Sequence, residues 1–493
     1  MAFIIFIISI DPRYHTFNEV AYELDSIAEH YSTIALLDTI GYSTSDSLPI
    51  FALKITDNIN SKEDEPQILY IACHHAEEIL GIELCMYMIN DLIANYMIDS
   101  TKTYWINNSE IWFVPLLNPE GHGIVMQEID TTWRKNKKDN NNNGQFDLDY
   151  DGVDLNRNYD FHWHDGGSTD PSSEYYRGPA PVSENEVKAL QDLCLQKDFI
   201  FCNTYHSART GLGEVIYYPW RTSSGFSPDF LFIRDVSANM ARLIINDQGN
   251  GHYLTLPGVN VDGRARNWLY GVRGTYTFCV EISTTCIQPG WMVDDICARN
   301  AVGAYYLLDR VKGSGITGCI RDDLTGEPLI AEVIVENYYD PYLPPRLSNA
   351  DFGRFTRILT PGFYDIEIRK KGYASICYQN VKVQDDIMTD LSNISLKRTT
   401  GSLIFDDRQD EILFYPNPTK NSVTICLTNP LNITSVKIYN TIGRLIEAFD
   451  DPQNEIIWQC TDKNNRKIPN GVYWLIGETK EKSLLMEKVI IVN

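Results

Sequence analysis

Apolar residues recur along this chain with two different periods, and the change from one to the other divides it. FNEVAYELDSIAEHY (17–31) sets them near helical spacing. ILYIAC (68–73) is a continuous apolar run of strand length, and a long helical stretch follows from Glu78 to Tyr96. IWFVPLL (111–117), FIFCNTY (199–205) and TYTFCVEI (275–282) are further strand runs. Strands alternating with helices predict an α/β domain over residues 14–310, with a mixed central sheet flanked by helices on both faces.

After Lys312 the period shortens to two. AEVIVE (331–336) and YDIEIR (364–369) alternate apolar and polar residues, and DDLTGEP and TPGF supply turns. This predicts a first all-β sandwich over 313–397. The polar run RTTGSLIFDDRQDE (398–411) reads as a linker, and a second all-β sandwich is expected over 412–493, through VKIYNTIGRLI (436–446) and NGVYWLIG (470–477).

A length of 493 residues with 43% hydrophobic content supports several cores. The formal charge of -24 repels phosphate backbones and anionic lipid, so nucleic acid is excluded as a main partner. MAFIIFIISI at the start reads either as the remnant of an export signal or as a first strand, and no later run approaches the roughly 20 apolar residues of a membrane span. The eleven cysteines are scattered without a CxxC pair and give no readable framework.

The candidate chemistry begins where ILYIAC ends. HHAEE (74–78) offers an HxxE pair twice, His74 with Glu77 and His75 with Glu78, and either could present two metal ligands from one rigid piece of backbone. A third ligand belongs at another strand end, because ligands in α/β sheets gather at the carboxyl edge. His206, closing FIFCNTY, is the best placed of the other histidines.

The segments HAEE (75–78), NPEG (118–121), TWRKN (132–136), GVDLNRNY (152–159), YRGPAPVSENE (176–186), HSA (206–208) and NWLYGVRGTYTFCVEI (267–282) follow one another as they do in the zinc carboxypeptidases of the carboxypeptidase A/T type, which the chain resembles over most of 14–310. The resemblance selects His75, Glu78 and His206 as ligands of Zn²⁺. It implies Glu281 as general base, Arg134 as the group that stabilises the oxyanion, and Asn156 with Arg157 as the grip on the substrate's free C-terminal carboxylate. Arg266 falls, by the same resemblance, where the family sets side-chain preference, so peptides ending in Glu or Asp are expected substrates. Two departures stand out. The family's arginine inside HxxE is Glu77 here, and its mobile tyrosine is Val259.

DNNNNGQFD (139–147) places Asp139, Asn141, Asn143 and Asp147 as in a calcium loop with glycine at the sixth position, although Tyr150 stands where a final acidic residue belongs. Ca²⁺ is therefore a second candidate ion. The unit at 313–397 resembles the transthyretin-like, carboxypeptidase regulatory-like domain. The terminal unit resembles the C-terminal sorting domain of the type IX secretion system, which implies that secretion machinery as a partner and a secreted or cell-surface location. Three functions stay open: a secreted metallocarboxypeptidase, a zinc peptidase acting on cell-wall peptides, and a non-catalytic peptide-binding protein on a peptidase scaffold.

Overall fold

The computed structural model describes residues 10–399 apart from 208–210, 223–224, 337 and 339–342, and residues 412–491 apart from 416–418, 420–421, 428–432, 442, 451, 453–454, 465 and 481–483. The apolar stretch 1–9 and most of the expected linker, 400–411, lie outside the described residues. The chain divides into two compact units, Met1–Arg398 and Thr399–Asn493.

The first unit is built on strands β1 (Ala35–Tyr42), β2 (Pro49–Ile55), β3 (Gln67–Ala72), β4 (Glu110–Val114), β5 (Phe199–His206), β6 (Val215–Tyr218), β7 (Leu254–Pro257) and β8 (Tyr276–Glu281). They form one eight-stranded sheet in the order β1-β2-β4-β3-β5-β8-β6-β7. The four central strands β4, β3, β5 and β8 run parallel. β2 joins β4 and β6 joins β8 antiparallel, so the sheet is mixed, as expected.

Helices α1 (Phe17–His30), α2 (Leu80–Asn95), α3 (Asn185–Gln196), α4 (Phe230–Leu243) and α5 (Gly290–Arg310) cover the sheet. α1 opens on a capping box in which Thr16 and Glu19 satisfy each other's backbone N–H groups. The central strand β3 shows why its sequence is apolar throughout. Ile68, Tyr70 and Ala72 join the core beneath α1, α2, α4 and α5, while Leu69 and Ile71 join a second core beneath α3. α2 starts at Leu80, two residues later than its spacing predicted, because 73–79 are used to turn the chain out of β3.

Residues 315–396 form two three-stranded sheets. With β9 (Gly315–Asp322), β10 (Glu332–Val335), β11 (Arg354–Ile358), β12 (Gly362–Arg369), β13 (Ile376–Val383) and β14 (Met388–Leu396), the orders are β11-β9-β14 and β10-β12-β13. One hydrophobic cluster draws Ile316, Ile320 and Ile394 from the first sheet and Val333, Ile366 and Ile368 from the second. This segment is fixed to the preceding domain by polar contacts. Arg357 donates to Asp229 over 3.0 Å, both side chains being buried, and Arg310 at the end of α5 donates to the carbonyls of Ser314 and Leu359. It sits at the amino edge of the large sheet, where Gln67, Phe199, Tyr276 and Arg354 line a cavity of about 490 Å³.

The second unit pairs a three-stranded sheet (Ile412–Tyr415, Val423–Leu427, Glu455–Trp458) with a four-stranded one (Ile433–Asn440, Leu445–Asp450, Gly471–Thr479, Leu484–Ile491). Val423, Ile425 and Trp458 from the first meet Val436, Leu475 and Val489 from the second in one core. Among the described residues no helix is long and apolar enough to cross a membrane.

Removing Asp229 would leave Arg357 buried without its counter-charge. Asp229→Ala is expected to cost about 3–5 kcal/mol, read as a lowered midpoint of urea unfolding of the full chain; an unmoved midpoint would show that this pair does not hold the segment in place.

Candidate metal centre and substrate cavity

The parallel strands β3, β5 and β8 deliver their last residues to one edge. β5 ends on His206 and β8 on Glu281, and the register sets these two directly side by side, with Ala72 of β3 opposite Tyr205. Cys73 follows β3 with φ +57°, a left-handed turn that brings His75 and Glu78 round to the same edge. Three donor atoms then converge. His75 Nδ1 lies 2.8 Å from Glu78 Oε1, His206 Nδ1 lies 2.7 Å from Glu78 Oε2, and the two imidazole nitrogens are 3.1 Å apart. All three side chains are buried.

The ambiguity of HHAEE is thereby resolved in space. His74 points away, its Nε2 paired with the Tyr159 hydroxyl at 2.9 Å and its ring stacked on His206 at 5.4 Å. Glu77 lines the cavity beside the cluster instead of joining it. Two imidazole nitrogens and a carboxylate, converging within 4.8 Å, could hold a metal ion, and they are donors of the kinds that bind catalytic zinc. The far nitrogen of His75, Nε2, lies 3.3 Å from Asp154 Oδ1, a carboxylate placed where it could orient a metal-binding histidine. The residues fit the ion.

Charge is unevenly distributed around this cluster. Burial works against ionised Glu78, but His75 and His206 outweigh it and hold the carboxyl well below its usual range. Burial and the nearby Glu78 charge push Glu281 up to about 8, and the same two causes push Glu77 up to about 8.

Asp154 organises the opposite wall. Its Oδ2 accepts from Arg134 Nε at 3.0 Å and forms an ion pair with Nη2 at 3.0 Å, its Oδ1 accepts from the Asn156 backbone, and Arg157 Nη1 stands 3.8 Å from Oδ2. Arg157 donates to the Asn156 carbonyl, and the Asn156 side-chain oxygen accepts from the Ala265 backbone. Burial, reinforced by Arg264 and Arg134, pulls Arg157 down to about 10 although Asp154 opposes it. The sequence pattern alone does not mark Asp154. The available signal was its place in DLNR, where one 3₁₀ turn capped by Asp154 brings Asn156 and Arg157 to the cavity.

His75, Glu78, His206, Glu281, Arg134, Asn156, Arg157 and Arg266 all line one cavity of about 340 Å³. Arg266 is only 6% exposed. The departures named above are here too: Glu77 and Val259 line the same cavity, and Val259 is 74% exposed at its rim. Larger cavities exist elsewhere, such as that of about 490 Å³ at the amino edge, but no histidine lines that one.

The 139–147 loop does not support calcium. Asp139 spends its carboxylate on the backbone N–H groups of Asn142 and Gly144, at 2.7 and 2.8 Å. Asn141 and Asn143 donate their side-chain amides to Asp147. The spacing that reads as an ion loop here builds side-chain-to-backbone turns that close on themselves.

Residues 20–293 match the zinc carboxypeptidase family and residues 413–492 the secretion system C-terminal sorting domain. Carboxypeptidase B of Astacus astacus is 25% identical over 55% of this chain and 87% of its own, and carboxypeptidase O of Bos taurus is 26% identical over 61% and 79%. Among solved structures, carboxypeptidase A from Helicoverpa armigera superposes with a TM-score of 0.54 at 20% identity, covering 60% of this chain and 74% of the other, a likeness of fold. The chain belongs to the zinc carboxypeptidase family and is a metallocarboxypeptidase carrying a type IX secretion sorting domain.

Arg134 and Arg157 outweigh the burial that opposes ionised Asp154, so its pKa is depressed in the folded chain. Such a group stabilises the fold above its unfolded value of about 3.9 and loses that contribution as pH falls through the folded value. Asp154→Asn is therefore expected to be destabilised by several kcal/mol at pH 7, with the gap to the wild type narrowing below about pH 4; a pH-independent gap in urea titrations would contradict the assignment.

Proposed function

We propose that this metallocarboxypeptidase hydrolyses the C-terminal peptide bond of peptides and proteins outside the cell, with a preference for acidic C-terminal residues. The observation that carries the reading is a single cavity in which a three-donor metal cluster and Glu281 face a wall of arginines.

In this reading His75, Glu78 and His206 hold Zn²⁺, which supplies a Lewis acid that acidifies water and polarises a carbonyl. Glu281 takes a proton from the attacking water and passes it to the nitrogen of the breaking C–N bond, so the shortened peptide leaves as the acid and the last residue as a free amine. Arg134, held at two nitrogens by Asp154, donates to the carbonyl oxygen as negative charge develops there. Asn156 and Arg157 bind the substrate's terminal carboxylate, and the planar fork of Arg157 suits it to two parallel hydrogen bonds. Arg266, buried in the same cavity, gives a C-terminal Glu or Asp side chain its charge partner and disfavours Lys or Arg.

The domain plan follows: a catalytic domain over 14–310, a transthyretin-like regulatory β-sandwich over 313–397, a linker over 398–411 and a sorting β-sandwich over 412–493. Two sheets around one cluster support the sandwich reading of each β unit. The sorting domain supports delivery by the type IX secretion machinery to the cell surface or medium.

Glu281→Gln is expected to keep its zinc by metal analysis and to lose roughly 10²- to 10⁴-fold in hydrolysis. Peptides with amidated C-termini should resist cleavage by the wild type, and equal rates on acid and amide would remove the exopeptidase reading. Arg266→Ala should abolish any preference for peptides ending in Glu over Leu. If the wild type itself releases Leu or Lys as fast as Glu, Arg266 has no such role.

A further inference from the structure

Arg157 is buried and Arg134 half-buried beside one shared carboxylate, and they are not held alike. Arg134 makes two contacts of 3.0 Å with Asp154 Oδ2. Arg157 reaches the same oxygen only at 3.8 Å and donates to one backbone carbonyl, that of Asn156. Arg264 and Arg134 both repel it. One anion thus stands between two guanidinium groups, and the less firmly anchored of the two lines the cavity where a substrate carboxylate would bind.

A single aromatic ring answers both. Tyr175 lies with its ring centre 5.2 Å from the Arg134 guanidinium carbon and 5.6 Å from that of Arg157, and it lines the same cavity. A ring face carries negative charge density and attracts a guanidinium within about 6 Å, more strongly where water is excluded. The ring is held by its backbone: the Tyr175 carbonyl accepts from Ser168, and Tyr176 next to it pairs with Ser168 across a short bridge. At 44% exposure the side chain stands at the cavity mouth, where an entering peptide would meet it.

We infer that Tyr175 is a positioning residue for substrate binding, its ring holding the Arg157 guanidinium in place for the terminal carboxylate while also covering Arg134. The inference rests on the reading of Arg157 as the carboxylate grip. It assigns the ring a selective effect. Arg134 keeps its orientation through Asp154 without help, so losing the ring weakens recognition of the free carboxylate more than it slows the chemical step.

The test uses the full zinc-loaded chain in a Glu281→Gln background, so that peptides bind without turnover. A peptide ending in a free Glu and its C-terminal amide are titrated by calorimetry into Glu281→Gln and into the same chain carrying Tyr175→Ala or Tyr175→Phe. The advantage of acid over amide should fall roughly three- to thirtyfold with Tyr175→Ala, the range of a cation–π contact expressed as affinity, and return to within about threefold of the parent with Tyr175→Phe. In the otherwise wild-type chain Tyr175→Ala should raise KM for the free acid by a similar factor, with kcat changed less than about threefold. An undiminished acid-over-amide advantage in Tyr175→Ala overturns the inference alone, as does a loss in Tyr175→Phe equal to that in Tyr175→Ala. No advantage in the Glu281→Gln parent overturns the carboxylate role of Arg157 and the inference with it.

Discussion

Parallel pairing in register is the constraint on which the site depends. β3, β5 and β8 run in one direction, so their carboxyl ends reach one edge together, and the pairing of Glu281 with His206 fixes these residues as neighbours. A strand's side chains alternate between faces. A slip of one residue between β5 and β8 would turn His206 toward one core and Glu281 toward the other. The apolar interiors of these strands prevent the slip, because each face has its own hydrophobic cluster to satisfy. The site is therefore specified by the packing of residues that never touch a substrate.

Asp154 is the second point of coupling. It touches the far side of His75, holds Arg134, caps the turn that carries Asn156 and Arg157, and is fully buried. The candidate ligand cluster and the cationic wall are thus parts of one electrostatic assembly. A buried carboxylate among three cationic or ionisable partners is favourable only when all of them are present, which ties the two halves of the site to each other during folding.

The elements with long apolar runs were legible in the sequence because a central strand must bury both faces; the bounds of β3, β5 and β8 fall within a residue or two of those expected. HHAEE was not decidable by spacing, since His74 with Glu77 has the same separation as His75 with Glu78. The choice is made by the left-handed turn at Cys73, a conformation that no local pattern announced. Asp154 is hidden in the sequence for a related reason: an Asp in a polar turn reads as solvated, whereas here it is buried against Arg134, twenty residues away. The Asp139 loop shows the reverse case, in which a spacing that suits an ion is satisfied by the loop's own backbone.

Gly258 lies against the Arg266 guanidinium so closely that a β-carbon there would come within 2.2 Å of its Nη2. The obstructed atom is the tip of a flexible side chain, so the backbone would not have to yield; the guanidinium would swing aside. Under the role proposed for Arg266, the range of C-terminal residues accepted would be set partly by a position with no side chain at all. One added methyl would push the cation out of its place in the cavity wall while the scaffold stays intact.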